Sequence, residues 1–277
     1  MSRSSRVIPG FNLTLGFSLS YLSLLVLLPL AAVFIKTLDV GWDEFWQILT
    51  SERILKSLQL SFSTALFAAL TNVLFGVLLA WCLVRYQFPG KKIVDALIDL
   101  PFALPTAVAG IALTALYAPN GWLGQYFSHW NIHIVYSSLG ITLALIFIGL
   151  PFVVRTVQPV LADIDHELEE AASALGANRL QTIYKVIFPI LYPAILTGFA
   201  LAFARGIGEY GSVIFIAGNQ PFKTEIAPLL IISRLEEYDY AGATTIAVIM
   251  LVISFLFLLI INSLQAWTSR RTGRATT

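Results

Sequence analysis

Long runs without a charged residue constrain the fold of this chain more than any other feature of its sequence. No Asp, Glu, Lys or Arg occurs in 7–35, 57–84, 100–154, 186–204 or 240–269. A helix needs about 20 apolar residues to cross the roughly 30 Å hydrocarbon layer of a bilayer. The run 100–154 has 55 residues, which is enough for two crossings. The sequence therefore predicts six membrane-spanning segments.

The composition excludes an ordinary soluble domain. Of the 277 residues, 57% are apolar and 12% charged, against roughly 25% charged in soluble proteins. The apolar stretch after Arg6 is too long for the apolar part of a signal peptide, so we expect it to be retained as a span. Because backbone polar groups in lipid must be satisfied within the segment, we predict an all-α fold and a single membrane domain over 1–277. The predicted spans are 12–35, 57–84, 97–118, 136–157, 191–215 and 242–265.

The basic residues predict the orientation of the chain. Eleven Lys and Arg residues lie on the side of the two termini, and five lie in the loops of the opposite side. Since positive charge accumulates on the cytoplasmic side, both termini and the loop 158–190 are expected in the cytoplasm. Cys82 is the only cysteine, so neither a disulfide nor a paired-thiol metal site can form within the chain.

Two prolines four residues apart fall in the third predicted span. Pro101 and Pro105 each remove a backbone donor, which membrane helices tolerate where neighbouring helices or a water-lined cavity satisfy the freed carbonyls. Ordinary kinks are one interpretation. The other is a broken helix next to Thr106 that faces a partner or a pathway, and this makes Pro101, Pro105 and Thr106 a candidate gate.

The loop 158–190 has the pattern of two short helices. The first is expected to be capped by Asp163 and Asp165 and to end at Gly176, and Asn178 is expected to cap the second. Spacings of three and four predict one apolar face on the first helix, made of Leu161, Ile164, Leu168, Ala171, Ala172 and Leu175. The second is predicted to bury Leu180, Ile183, Tyr184 and Ile187. Such a structure would stand off the membrane and dock another molecule.

Five residues of this loop resemble the signature of bacterial ABC-importer permeases: Glu170, Ala171, Ala172, Gly176 and Pro189. The family pattern is Glu-Ala-Ala, three residues, Gly, nine residues, Ile, any residue, Leu, Pro. Here Val186 and Phe188 replace the Ile and Leu. The resemblance implies a type I importer permease fold in which these five residues belong to a coupling helix that docks on an ATP-hydrolysing subunit.

The chain has no Gly-x-x-x-x-Gly-Lys-[Ser/Thr] phosphate-binding motif. We therefore expect a transport subunit that is not an enzyme and has no cofactor of its own. ATP and Mg²⁺ would bind to the partner ATPase subunit.

The resemblance extends over most of the chain. The segments 85–90, 99–110, 151–159, 205–211 and 214–219 resemble T-type permease subunits of sulfate/thiosulfate importers. The resemblance implies alternating-access import across a bacterial inner membrane, a W-type permease as heterodimer partner, two copies of the ATPase and a periplasmic sulfate/thiosulfate-binding protein.

Several alternatives to this interpretation stay open. The segment Arg205-Gly-Ile-Gly-Glu-Tyr-Gly is shared with molybdate and tungstate permeases, so those oxyanions are alternative substrates, and a homodimer is an alternative assembly. An ATP-independent anion channel is a rival class, although no filter-like loop is visible in the sequence. The net charge of +1 gives no indication of nucleic-acid binding.

Arg205 and Glu209 form a charged pair inside the fifth predicted span. Their i,i+4 spacing places them on one helix face, and the cost of a lone charge in the bilayer favours an ion pair that faces the bundle or a cavity. Arg205 could line the anion path, or the pair could be purely structural. His129 and His133 have no third ligand nearby in the sequence, and no catalytic or metal site is predicted.

Overall fold

The computed structural model describes residues 11–271, except for the side chains of residues 12 and 267–271. This described part is mostly helical and contains no strand. Arg3, Arg6 and Arg274, which contribute to the orientation prediction, lie outside the described residues.

Five helical stretches are long and apolar enough to cross a membrane: 13–38, 52–85, 138–162, 179–207 and 240–266. A sixth apolar helix has 12 residues, so the described part of the chain agrees with the predicted six-helix architecture. The helices are α1 (Phe11–Leu22), α2 (Leu28–Leu38), α3 (Trp42–Leu49), α4 (Glu52–Arg85), α5 (Lys91–Ile98), α6 (Leu100–Ala103), α7 (Thr106–Tyr117), α8 (Gly124–His129), α9 (Ser138–Ala162), α10 (His166–Ala174), α11 (Arg179–Thr182), α12 (Phe188–Ile207), α13 (Val213–Ala217), α14 (Ala227–Glu236) and α15 (Tyr240–Arg271). The π-helical turns Ser23–Leu27 and Ile183–Ile187 join α1 to α2 and α11 to α12.

The third predicted span, 97–118, is not one helix. The chain forms α5, α6 and α7 there, and Leu104 between α6 and α7 is extended, with φ −85° and ψ 136°. The ring of Pro105 disfavours helical geometry in the preceding residue, which explains the break. Pro101 is tolerated because it lies in the first turn of α6, where its missing N–H is no loss.

The fifth predicted span, 191–215, is not a single helix to its end, because the helix that contains it runs from Arg179 to Ile207. It passes through Pro189 because the preceding π turn rearranges the backbone hydrogen bonds at the point where the proline donates none. It ends at Ile207, where the Glu209 N–H donates to the Gly206 carbonyl three residues back at 3.2 Å. In the turn that follows, the Ser212 N–H donates to Glu209 Oε1 at 2.9 Å.

The core is the mutual packing of α4, α9 and α12. Small residues make this possible, as a Cβ added to Gly198 of α12 would lie 2.9 Å from the Cα of Val153 on α9. Lipid tails are as apolar as the side chains, so helices in a membrane associate through such close approach rather than through the hydrophobic effect. The buried alanine and glycine residues that α4 contributes are Ala65, Ala68, Ala69, Gly76 and Ala80.

Two arginines attach peripheral helices to this core through ion pairs. Arg53 at the start of α4 donates to both carboxylate oxygens of Glu225 at 2.7 Å, which holds the start of α14 against α4. Arg155 of α9 contacts Asp95 and Asp99 at 2.7 and 2.6 Å and so fixes α5. The first spanning stretch, 13–38, differs from the core helices, because the most apolar 18 residues in it include no buried residue.

We expect Gly198→Leu to destabilise the protein, because the added side chain would overlap the backbone of α9. Overpacking of this kind costs about 1–3 kcal/mol, and the melting temperature of the purified protein should fall. Gly16→Leu is the matched control, since no atom lies within 4 Å of the Cβ position on that glycine. Equal melting temperatures for the two variants would contradict the packing described for α9 and α12.

Candidate functional site

The helix α10 ends at the predicted glycine. Gly176 has φ +83°, a conformation that glycine adopts without steric cost. Its N–H donates to the Ser173 carbonyl and the Ala177 N–H donates to the Ala172 carbonyl, both at 3.0 Å. These two bonds form a Schellman motif. The turn separates α10 from α11.

A capping box starts the next helix, as the sequence predicted for Asn178. The Asn178 side chain accepts from the Gln181 N–H and the Gln181 side chain accepts from the Asn178 N–H, both at 2.9 Å. The helix is not a separate short element, however, because it continues through the π turn into α12. The predicted caps of α10 are confirmed only in part. Asp165 occupies the N-cap position but makes no side-chain bond there, and Asp163 instead ends α9.

Both predicted apolar faces of the loop are largely exposed, although the second was expected to be buried. Leu175, Leu180 and Tyr184 are 89%, 78% and 75% exposed. The burial prediction fails because none of the described residues covers these side chains. Exposed apolar surface of this kind is typical of a region that contacts another protein or a membrane. The residues of the two faces that are buried are Leu161, Ile164 and Ile187.

The predicted coupling residues lie on this same loop. Glu170 and Ala171 of α10 are exposed, Ala172 is half-buried and Pro189 near the start of α12 is exposed. Together with Gly176 they are accessible to a partner surface. Their coupling role stays a prediction.

Sequence reasoning missed the contact that joins α10 to α4. Arg85, the last residue of α4, pairs with Glu169 of α10, and its Nη1 lies 3.2 and 3.3 Å from the two ring nitrogens of His166. The guanidinium also lies over the ring of Trp81, at 5.7 Å. The sequence did indicate the position of Arg85, because this residue ends a charge-free run and therefore lies at the end of a span. It did not indicate that Arg85 pairs with Glu169, which is 84 positions away.

The predicted Arg205–Glu209 pair is present at the end of α12. Arg205 Nη1 lies 2.5 Å from Glu209 Oε2, and the Glu209 side chain is 2% exposed. The other carboxylate oxygen accepts from the N–H and the hydroxyl of Ser212, at 2.9 and 3.0 Å. Both oxygens of Glu209 are thus engaged in holding the turn after α12. The Arg205 side chain is about one-third exposed, so its guanidinium remains reachable.

The structure brings the candidate gate next to this ion pair. A Cβ on Gly211 would overlap Thr106 Oγ1, and a Cβ on Gly110 would overlap the backbone of Ser212. The break at Pro105 therefore lies against the turn that Glu209 organises. Sequence reasoning treated the two regions as independent. The assignment of Pro101, Pro105 and Thr106 as a gate stays a prediction.

Among residues 11–271, no group of three or more His, Cys, Asp or Glu side chains is placed to hold a metal ion.

Residues 72–274 match the family of binding-protein-dependent transport system inner membrane components. This match covers more than half of the chain, and the chain belongs to that family.

Relatives of known function match along nearly the whole chain. The sulfate transport system permease protein CysT of Synechocystis sp. is 53% identical over 250 residues, which are 90% of this chain and 87% of the relative. The proteins of the same name from Salmonella typhimurium and Escherichia coli are 48% and 47% identical over 268 residues, which are 97% of each chain.

Solved structures agree on the fold. A chain of the bacterial alginate ABC transporter, in complex with an alginate pentasaccharide-bound periplasmic protein, superposes with a TM-score of 0.76 at 18% identity, with 96% of each chain covered. A chain of the methionine ABC transporter MetNI in an inward-facing conformation gives 0.59 at 16% identity, covering 82% of this chain and 99% of the other. The protein is therefore a multi-pass inner-membrane permease subunit of an ABC importer and not an enzyme.

We expect Arg205→Gln to destabilise the permease, because it leaves the buried Glu209 carboxylate without its cationic partner. The loss should be about 1–3 kcal/mol, the usual cost of an unsatisfied buried group, and would be measured as a lower melting temperature. Arg205→Gln/Glu209→Gln should recover part of it, as in a double-mutant cycle on interacting residues. Strictly additive losses would contradict a structural pair.

Proposed function

We propose that this chain is the T-type permease subunit of an importer for sulfate and thiosulfate. The observation that carries the proposal is the identity of 47–53% with sulfate transport permeases over at least 87% of both chains. The fold alone does not select the solute, because structural neighbours at 15–18% identity belong to transporters of alginate, methionine and amino acids.

The proposed assembly follows from the same relationship. A W-type permease would complete a heterodimer and two ATPase subunits would bind ATP and Mg²⁺. A periplasmic sulfate/thiosulfate-binding protein would deliver the anion. The orientation with both termini in the cytoplasm is supported by the distribution of basic residues, and it places α10 on the side of the ATPase. The exposed apolar side chains of α10 and α11 then supply the docking surface.

The helical stretch 179–207 gives this assembly a mechanical connection. It has 29 residues, or about 43 Å at 1.5 Å per residue. One end follows the turn at Gly176, and the other carries Arg205 next to the candidate gate. A displacement of α10 by the ATPase would therefore reach the break at Pro105 through one continuous helix. This would produce alternating access.

The charges along the proposed path favour release of the anion over tight binding. Arg205 is already paired with Glu209, so it should bind a dianion only weakly. Tight recognition then belongs to the binding protein, and the permease provides a path that the anion can leave quickly.

The substrate is tested by radiolabelled sulfate uptake in a strain that lacks this chain, with and without the chain restored. We expect restored uptake that excess thiosulfate blocks and moderate molybdate does not. Intact sulfate uptake in the deletion strain together with lost molybdate uptake would assign the protein to the molybdate branch. Uptake that persists without ATP would indicate a channel.

Substitution of the loop residues tests their role in coupling. Glu170→Ala and Gly176→Ala should each lower sulfate uptake at least tenfold, with an unchanged amount of chain in the membrane. Gly90→Ala is the control for backbone strain, because Gly90 has the same φ of +83° and open space around its Cβ position. Normal uptake with Glu170→Ala and Gly176→Ala would overturn the coupling assignment.

A further inference from the structure

Three connections join α10 to the membrane core. Two are covalent, one through residues 163–165 to α9 and one through the Gly176 turn and α11 into α12. The third is the contact of Arg85 with His166 and Glu169, which leads into α4. Because α4 and α12 both pack on α9 and on each other, the three connections end on the three helices of the same core.

The Arg85 contact has the geometry of a rigid joint. One guanidinium nitrogen binds Glu169 and a second lies at hydrogen-bond distance from His166, so the planar group is held at two points on successive turns of α10. The ring of Trp81, one turn back along α4, lies beside the guanidinium. The Arg85 side chain is only 12% exposed although it lies at the end of a spanning helix. A charge-assisted, two-point contact of this kind fixes orientation as well as distance.

Little else holds α10 against α4. None of the nine residues of α10 is buried. A groove of about 450 Å³ lies between α4, α10 and the start of α11, lined by residues that include Trp81, Tyr86, Ser173 and Ile183. Without Arg85, α10 could move into this groove without carrying α4 along.

The adjacent residues Glu169 and Glu170 of α10 differ in their exposure and in their contacts. Glu169 is half-buried and bound to Arg85, while Glu170 is exposed. We propose that Arg85 is a positioning residue that clamps α10 to α4 through Glu169 and His166, so that a movement imposed on α10 is transmitted to α4 as well as to α12. The proposal rests on the ATP-coupled import described above. It assigns Glu169 to the permease interior and leaves Glu170 to the ATPase.

The clamp is tested in the assembled complex of both permeases and the ATPase subunits, reconstituted in liposomes with the binding protein and sulfate. Arg85→Gln and Glu169→Gln should lower sulfate transported per ATP hydrolysed at least tenfold, with ATPase subunits still bound. Arg85→Lys keeps the charge but not the two-point contact, so its ratio of sulfate transported to ATP hydrolysed should lie between those of the wild type and Arg85→Gln. The exchange Arg85→Glu/Glu169→Arg should regain transport. Glu167→Gln is the matched control, an exposed glutamate in the first turn of the same helix.

Unchanged transport per ATP in Arg85→Gln would overturn the clamp. The clamp would also be overturned if both single variants lost the ATPase subunits and the exchange Arg85→Glu/Glu169→Arg did not recover their binding. That outcome would indicate that the pair serves folding alone. If the wild-type complex hydrolyses ATP but moves neither sulfate nor thiosulfate, the proposed substrate is wrong. The transport assay then cannot test the clamp, and a distance measurement tests it instead.

For that measurement, spin labels replace the exposed Leu78 of α4 and the exposed Ala174 of α10, with Cys82→Ser as background. The distance between them should stay constant on ATP binding in the wild-type sequence and change in Arg85→Gln. The same behaviour in both proteins would refute the clamp whatever the transported solute.

Discussion

The close approach of α4, α9 and α12 is the contact on which the rest of the structure depends. In a bilayer these helices gain nothing by hiding apolar side chains from water, so their association rests on backbone proximity and dispersion. Glycine and alanine at the contacts provide that proximity, as at Gly198 against Val153. The peripheral helices are then placed relative to this core, α14 by Arg53 and α5 by Arg155.

Several charged residues near the ends of the spans join two elements. Arg85 connects α4 to α10, and Arg155 connects α9 to α5. Glu209 differs because it is almost fully buried, with one carboxylate oxygen bound by Arg205 and the other by Ser212. A buried charge persists only when it is paired and hydrogen-bonded, so the geometry of this turn is narrowly determined. The candidate gate at Thr106 lies against this turn.

The architecture was predictable from the sequence because the bilayer imposes a length and a polarity on every span. Local chemistry also predicted the Gly176 turn and the Asn178 cap, since both depend on residues a few positions apart. The ends of the fifth helix were not predictable, because the helix begins with a π turn and ends in a backbone turn at Gly208. The apolar face that begins in α11 was predicted as buried but is largely exposed, since periodicity shows which residues share a face but not whether the chain covers it. The partner of Arg85 depends on tertiary packing that no local pattern encodes.

The contact of Gly198 with α9 has a geometric consequence for the helix that runs from Arg179 to Ile207. The contact divides the helix unequally, with about 28 Å toward the α10 side and about 14 Å toward Arg205. If the helix tilts about this point, its two ends swing in opposite directions, and the displacement at the Arg205 end is about half of that at the other. The glycine then acts as a fulcrum that converts a wide movement at the surface into a smaller, opposed movement inside the membrane.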